Sequence, residues 1–203
     1  KRFNRRNDMV PTFNGTYYFT DPPYGLPEQQ NSNTREIDAF GVYKIDHNGQ
    51  VDMVIDSLSR PNGVALSPDE KILYVNQSDN NAPLIMAYPV QPDGSLAKGR
   101  IFFDASSLLE EGLVGSLDGL KVAKDGTIFS TGPGGVLVLT PDGKLLGRIA
   151  TGQRTANCAW GDDGSALYMT AHSYLMRIQT KTTGLGFKRL FSNLFFQLFH
   201  GLL

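Results

Sequence analysis

Short apolar runs alternate with tight turns along most of the chain, and the same arrangement recurs. From Ser59 to Val75, Asn62-Gly63 leads into an alternating run (Val64, Leu66), a turn at Ser67-Pro68-Asp69-Glu70, and a second run from Ile72 to Val75. Two such runs joined by a tight turn predict a β-hairpin. An earlier copy runs from Arg6-Asn7-Asp8-Met9-Val10 through Asn14-Gly15-Thr16 to Tyr17-Tyr18-Phe19-Thr20. A third runs from Leu117-Asp118-Gly119-Leu120 through Lys124-Asp125-Gly126-Thr127 to Ile128-Phe129-Ser130-Thr131. The fourth starts at Ala156-Asn157-Cys158, turns at Asp162-Asp163-Gly164-Ser165 and ends in Ala166-Leu167-Tyr168-Met169-Thr170. Each opens with a carboxamide or carboxylate: Asn7, Asn62, Asp118 and Asn157. A repeat of roughly 40–50 residues with four short strands per unit predicts an all-β fold, a β-propeller.

The remaining runs complete the units. Residues 1–58 hold the first hairpin, the proline-rigid stretch Thr20-Asp21-Pro22-Pro23-Tyr24-Gly25-Leu26, and a second hairpin turning at His47-Asn48-Gly49. Prolines exclude that stretch from a central strand, whereas Asn-Gly between alternating runs is a strong hairpin signal. Residues 59–113 repeat the plan, 114–152 give a compact version, and 153–187 give an inner pair with one outer strand, Tyr174–Ile178. Four blades are expected over residues 1–187, as an open arc of a larger ring with exposed edges.

Gly 22 and Pro 11 suit many strands and turns, and 40% hydrophobic residues suffice for a core. A net charge of −1 without a Lys/Arg run argues against nucleic acid as a partner. A single cysteine excludes a disulfide framework and a thiolate zinc cage. No apolar run is long enough to span a bilayer. The first residue is Lys, with no signal-peptide pattern, which suggests a piece of a longer chain. Residues 188–203 break the repeat: Leu190, Phe191, Leu194, Phe195, Phe196, Leu198, Phe199, Leu202 and Leu203 are apolar, and no charged side chain follows Arg189. This tail reads as a cover for an open apolar edge or an unstructured extension. Its helical periodicity also admits an amphipathic helix for a membrane surface or a partner.

The innermost strand of a propeller blade lines a central channel, so Asn7, Asn62, Asp118 and Asn157 should converge on one mouth. Amide oxygens with a carboxylate suit a hard cation such as Ca²⁺, and without Cys or His pairs a soft-metal site is disfavoured. The competing explanation is turn chemistry, because Asn and Asp beside Gly cap their own backbone. Cys158 and Trp160 read as packing groups, and His47 as a solvated turn residue. His172, at the end of an inner hairpin, is a candidate for reaching the mouth. No nucleophile elbow, phosphate loop or zinc-protease motif is present.

The blocks R-F-N-R-R-N-D (2–8), N-G-T-Y-Y-F-T-D-P-P-Y-G-L (14–26), R-P-N-G-V-A-L-S-P-D-E-K-I-L-Y-V (60–75) and L-D-G-L-K-V (117–122) together resemble the gluconolactonase family, related to regucalcin (senescence marker protein 30). That resemblance covers residues 1 to about 187. It implies a six-bladed propeller with one divalent metal near the axis, hydrolysing sugar lactones to aldonic acids. By position, Asn62 and Asp118 match two metal ligands, with Asp118 also the candidate general base, and Asn7 matches the Asn beside the metal that contacts substrate. Tyr24 and His172 are carried as further substrate-binding candidates. The remaining ligand implied is a Glu in a blade that this sequence lacks. Ca²⁺ is the expected cofactor, with Zn²⁺, Mn²⁺ or Mg²⁺ as alternatives, and a small lactone the expected partner. Rival readings are a phosphotriesterase on the same propeller and a non-catalytic binding platform.

Overall fold

A computed structural model describes residues 1–185. The tail, including the proposed helix over 188–203, lies outside them. Among the described residues, fifteen strands form four antiparallel sheets. The first holds β1 (Met9–Pro11), β2 (Tyr17–Asp21), β3 (Gly41–Ile45) and β4 (Val51–Ile55). The second holds β5 (Pro61–Leu66), β6 (Ile72–Gln77), β7 (Leu84–Pro89) and β8 (Arg100–Asp104). The third holds β9 (Leu120–Val122), β10 (Ile128–Gly132), β11 (Gly135–Leu139) and β12 (Leu145–Ile149). The fourth is three-stranded: β13 (Thr155–Gly161), β14 (Ala166–Ala171) and β15 (Tyr174–Gln179). In each sheet the strands pair in chain order, the up-and-down meander of a propeller blade.

Alternation along the strands sends neighbouring side chains into different inter-blade cores. Val64 and Leu66 of β5 pack with Tyr18, Val42 and Ile55 of the first blade, while Ala65 joins Leu120, Ile128 and Leu137 of the third. Cys158, Leu167 and Met169 meet Phe129 and Val136 in a third cluster. This explains why β5 is buried along its whole length. Blades one to two, two to three and three to four are in contact. No contact of similar extent joins the first and fourth among the described residues.

Turn chemistry holds the blades' hairpins as the sequence predicts. Asp46 accepts from the amides of Asn48 and Gln50 at 2.9 Å each, and Gly49 takes φ +83°. An unpredicted helix, α1 (Ser106–Glu110), follows β8. Asp104 Oδ1 accepts from the Ser106 amide at 2.9 Å at its start, and five residues are too few to leave a periodic signal.

Tyr18 ties the first two blades together. Its ring is fully buried, its hydroxyl donates to Gly94 O at 2.7 Å, and burial raises its pKa. Tyr18→Phe is expected to cost about 1–2 kcal/mol, read as a lower midpoint in urea with an unchanged slope.

Candidate functional site

The site begins at an irregularity in β5. Pro61 faces Gln77 and Val64 faces Val75, so Asn62 and Gly63 together oppose one residue, Asn76. Such a bulge re-aims side chains and releases a backbone group from the ladder. The Gly63 N–H turns to the next blade and donates to Asp118 O at 3.0 Å. Asn62 Oδ1 accepts from Asn7 Nδ2 of the first blade at 2.9 Å, and Asn62 Nδ2 donates to Ser78 Oγ at 2.7 Å. Ser78 Oγ in turn donates to Leu117 O. Three blades therefore meet at Asn7, Asn62 and Asp118.

The main chain around Asp118 is held from several sides. Its carbonyl accepts from Gly63 N–H and from Asn76 Nδ2 at 2.7 Å, and its N–H donates to Thr131 O at 3.3 Å. The carboxylate is half-buried and forms no ion pair among the described residues. Burial pushes its pKa up to about 6; the Asn62 amide opposes the shift and the Asp8 carboxylate adds to it. Asp8 itself accepts from Val64 N–H at 3.2 Å, with Lys121 Nζ 3.9 Å away.

Tyr24 stands on a 3₁₀ turn, Pro23–Gly25, that follows β2. Burial raises its pKa, with Ser78 and Asn62 opposing and the Asp118 charge reinforcing, so its hydroxyl borders the same cluster. Asp21 of the same segment is fully buried and accepts from Asn4 N–H at 2.9 Å and Arg5 N–H at 2.6 Å. It anchors residues 4 and 5.

Asn157 and His172 stand apart from these bonds. Asn157 Oδ1 accepts from the Cys158 amide at 2.8 Å and lies over Gly119, where an added Cβ would sit 2.1 Å from it. His172 is an exposed turn residue with φ +55°, at the same end of the blade as Asn157, and its N–H donates to Arg154 O at 2.9 Å. Cys158 is buried with its thiol pushed up to about 12 by desolvation, and Trp160 stacks edge-on against Phe129. Both pack the third core.

Asn76, Ser78 and Asp8 were not among the residues singled out from the sequence. The signal for the first two is Asn76-Gln77-Ser78 itself, three buried polar residues ending an apolar run. Among the described residues no group of three or more His, Cys, Asp or Glu could hold a metal ion. A cation here would thus draw on amide oxygens as well. Asn62 Oδ1 and the Asp118 carboxylate, which has no cationic partner among the described residues, fit a hard divalent ion in chemistry. An open concavity lined by residues 1–6 and Gly25 includes neither of them.

Fold and polar mouth together define a β-propeller with an oxygen-lined site where blades meet. A family model described as the SMP-30/gluconolactonase/LRE-like region matches residues 1–173, and the chain belongs to that family. It is 39% identical over 187 residues to a gluconolactonase of Zymomonas mobilis, covering 91% of this chain and 52% of that protein. The solved structure of a gluconolactonase from Xanthomonas campestris superposes with a TM-score of 0.77 at 33% identity, over 88% of this chain and 58% of that one. A calcium-binding regucalcin of Agrobacterium tumefaciens superposes with a TM-score of 0.68 at 22% identity, over 88% and 62%, a likeness of fold alone. The chain spans about half the length of the curated gluconolactonase it matches.

Proposed function

We propose that this chain supplies part of the active site of a divalent-metal-dependent lactonase that opens sugar lactones to aldonic acids. The observation that carries this reading is the half-buried Asp118 carboxylate, which forms no ion pair among the described residues and meets the amide of Asn62, itself bonded to Asn7 of the first blade. The names of its relatives support the lactone as substrate.

Asn62 Oδ1 and the Asp118 carboxylate would hold the cation, contributing a minority of the roughly six to eight oxygens that Ca²⁺ takes. When bound, the ion supplies Lewis-acid polarisation of the lactone carbonyl. Asp118 would accept the proton of the attacking water as general base. Asn7 and the Tyr24 hydroxyl would orient sugar hydroxyls at the rim, and Asn62 fixes Asn7 through its own amide.

A thermal melt of the chain with excess Ca²⁺ and with chelator tests the site. Ca²⁺ at about 100 times its dissociation constant should stabilise the fold by roughly 2.7 kcal/mol. A melt indifferent to Ca²⁺, Mn²⁺, Mg²⁺ and Zn²⁺ would remove the metal from this chain's chemistry. Glucono-1,5-lactone hydrolysis and a phosphotriester panel then separate substrates; preferential turnover of the phosphotriester would overturn the lactonase reading.

The Asp118 pKa gives this binding a pH dependence. Folding raises the pKa from 3.8 to about 6, so the folded state holds the proton more tightly than the unfolded state. The protonated form favours folding below pH about 4, and that contribution is lost as pH rises through about 6. Cation binding needs the ionised form, so affinity should climb through the same window, measured by calorimetric titration at pH 5, 6 and 7. A flat affinity across that window would exclude Asp118 as a ligand.

A further inference from the structure

Asn76 lies on β6 opposite the Asn62-Gly63 bulge, with its side chain wholly out of contact with solvent. One Nδ2 hydrogen reaches Asp118 O at 2.7 Å and the other reaches Ser130 Oγ at 2.9 Å, both on the third blade. Its Oδ1 meets no protein donor among the described residues, so the side chain acts here purely as a donor. The Asp118 carbonyl also takes the Gly63 N–H, so a single oxygen joins the bulge that carries Asn62 to the strand that carries Asn76.

The register shows the same device one blade on. Val75 faces Val64, as Ser130 faces Leu120, which places Thr131 where Asn76 stands. Thr131 Oγ1 lies 3.1 Å from both Gly119 O and, across the blade boundary, Ala156 O, which share its single hydroxyl proton. A side-chain donor from the second strand of one blade thus grips the bulged entry of the next at both positions. Only at Asn76 does the gripped carbonyl belong to the residue whose carboxylate carries the chemistry.

We infer that Asn76 is a positioning residue, which fixes the main chain of Asp118 against the Asn62-Gly63 bulge and so sets the spacing of the two oxygens that would hold the cation. This rests on the function proposed above. Both hydrogens of the Asn76 amide are spent on protein atoms of the third blade.

The test compares Asn76→Thr with Asn76→Val in the full chain. These side chains share shape and strand preference and differ in one donor. Asn76→Thr should bind Ca²⁺ within about threefold of the parent, and Asn76→Val roughly tenfold more weakly, the effect of one lost hydrogen bond. Without metal, Asn76→Val should melt somewhat below Asn76→Thr because it leaves the buried Asp118 carbonyl short of one donor, so affinities are compared at a temperature where both are folded. Equal Ca²⁺ affinities for the pair would overturn the inference. If the branched variants do not fold, Asn76→Ser and Asn76→Ala are read in the same way. If the parent binds no divalent cation, the proposed function fails, and amide exchange decides the positioning role by itself. Faster exchange of the Gly63 amide in Asn76→Val than in Asn76→Thr would sustain it, and equal exchange would overturn it.

Discussion

Asp118→Asn should lower the proposed lactone turnover by about 10²–10⁴-fold, the usual contribution of a positioned proton acceptor. Turnover would be measured at saturating substrate and Ca²⁺, in a protein that supplies the blades this chain does not span. The substitution preserves shape, and the contacts of residue 118 to Gly63, Asn76 and Thr131 all run through its main chain. The fold should therefore survive. Replacing a carboxyl whose charged form is disfavoured by burial also removes a source of strain above pH about 6, so the variant should melt no lower than the parent at pH 7 without metal. An inactive variant with undiminished stability would place the loss in chemistry. Near-full turnover would end the assignment of Asp118 as base.

Gly63→Ala should disturb the junction between the second and third blades with a single methyl group. A Cβ at residue 63 would sit 2.1 Å from Asp118 O, 2.9 Å from Leu120 N and 3.0 Å from Gly119 Cα. All three are backbone atoms of the neighbouring blade, so no side chain can swing aside. Relief requires the blades to separate, which strains the Gly63 N–H bond to Asp118 O and spreads Asn62 from Asp118. Overpacking of this kind costs about 1–3 kcal/mol, which for a chain of this length lowers the melting temperature by roughly 3–10 °C. Ca²⁺ stabilisation should fall with it. Gly147 on β12 is the control, since nothing lies within 4 Å of its Cβ position. Gly147→Ala should be neutral or slightly stabilising. If the two alanines behave alike, close backbone approach at Gly63 is not what holds these blades.

The propeller was legible in the sequence because it is written in local terms. Hairpin turns such as Asp46–Gln50 and alternating runs such as Val64–Leu66 announce themselves within a few residues, and repetition does the rest. The convergence of Asn7 and Asn62 followed from equivalence between blades, and the two side chains are in fact bonded. What the repeat concealed is that equivalent positions diverge in use. Asn157 turns its oxygen to the amide of Cys158, the turn chemistry that competes with ligation at every Asn-Gly-like step. Asn76 was missed for the opposite reason. Its importance lies in a carbonyl 42 residues away, and nothing near it in sequence names that partner.

The bulged entries have a kinetic consequence. Gly63 donates across to Asp118, and Gly119 across to Ala156, so the mouth is closed by bonds that no blade can make alone. Hairpins within a blade pair residues close in sequence and can form early, whereas Asn7 must find Asn62 across 55 residues. The site should therefore assemble last, after the transition state for folding has been crossed. A ligand that recognises only the assembled mouth would then leave the folding rate almost unchanged and act as a brake on unfolding.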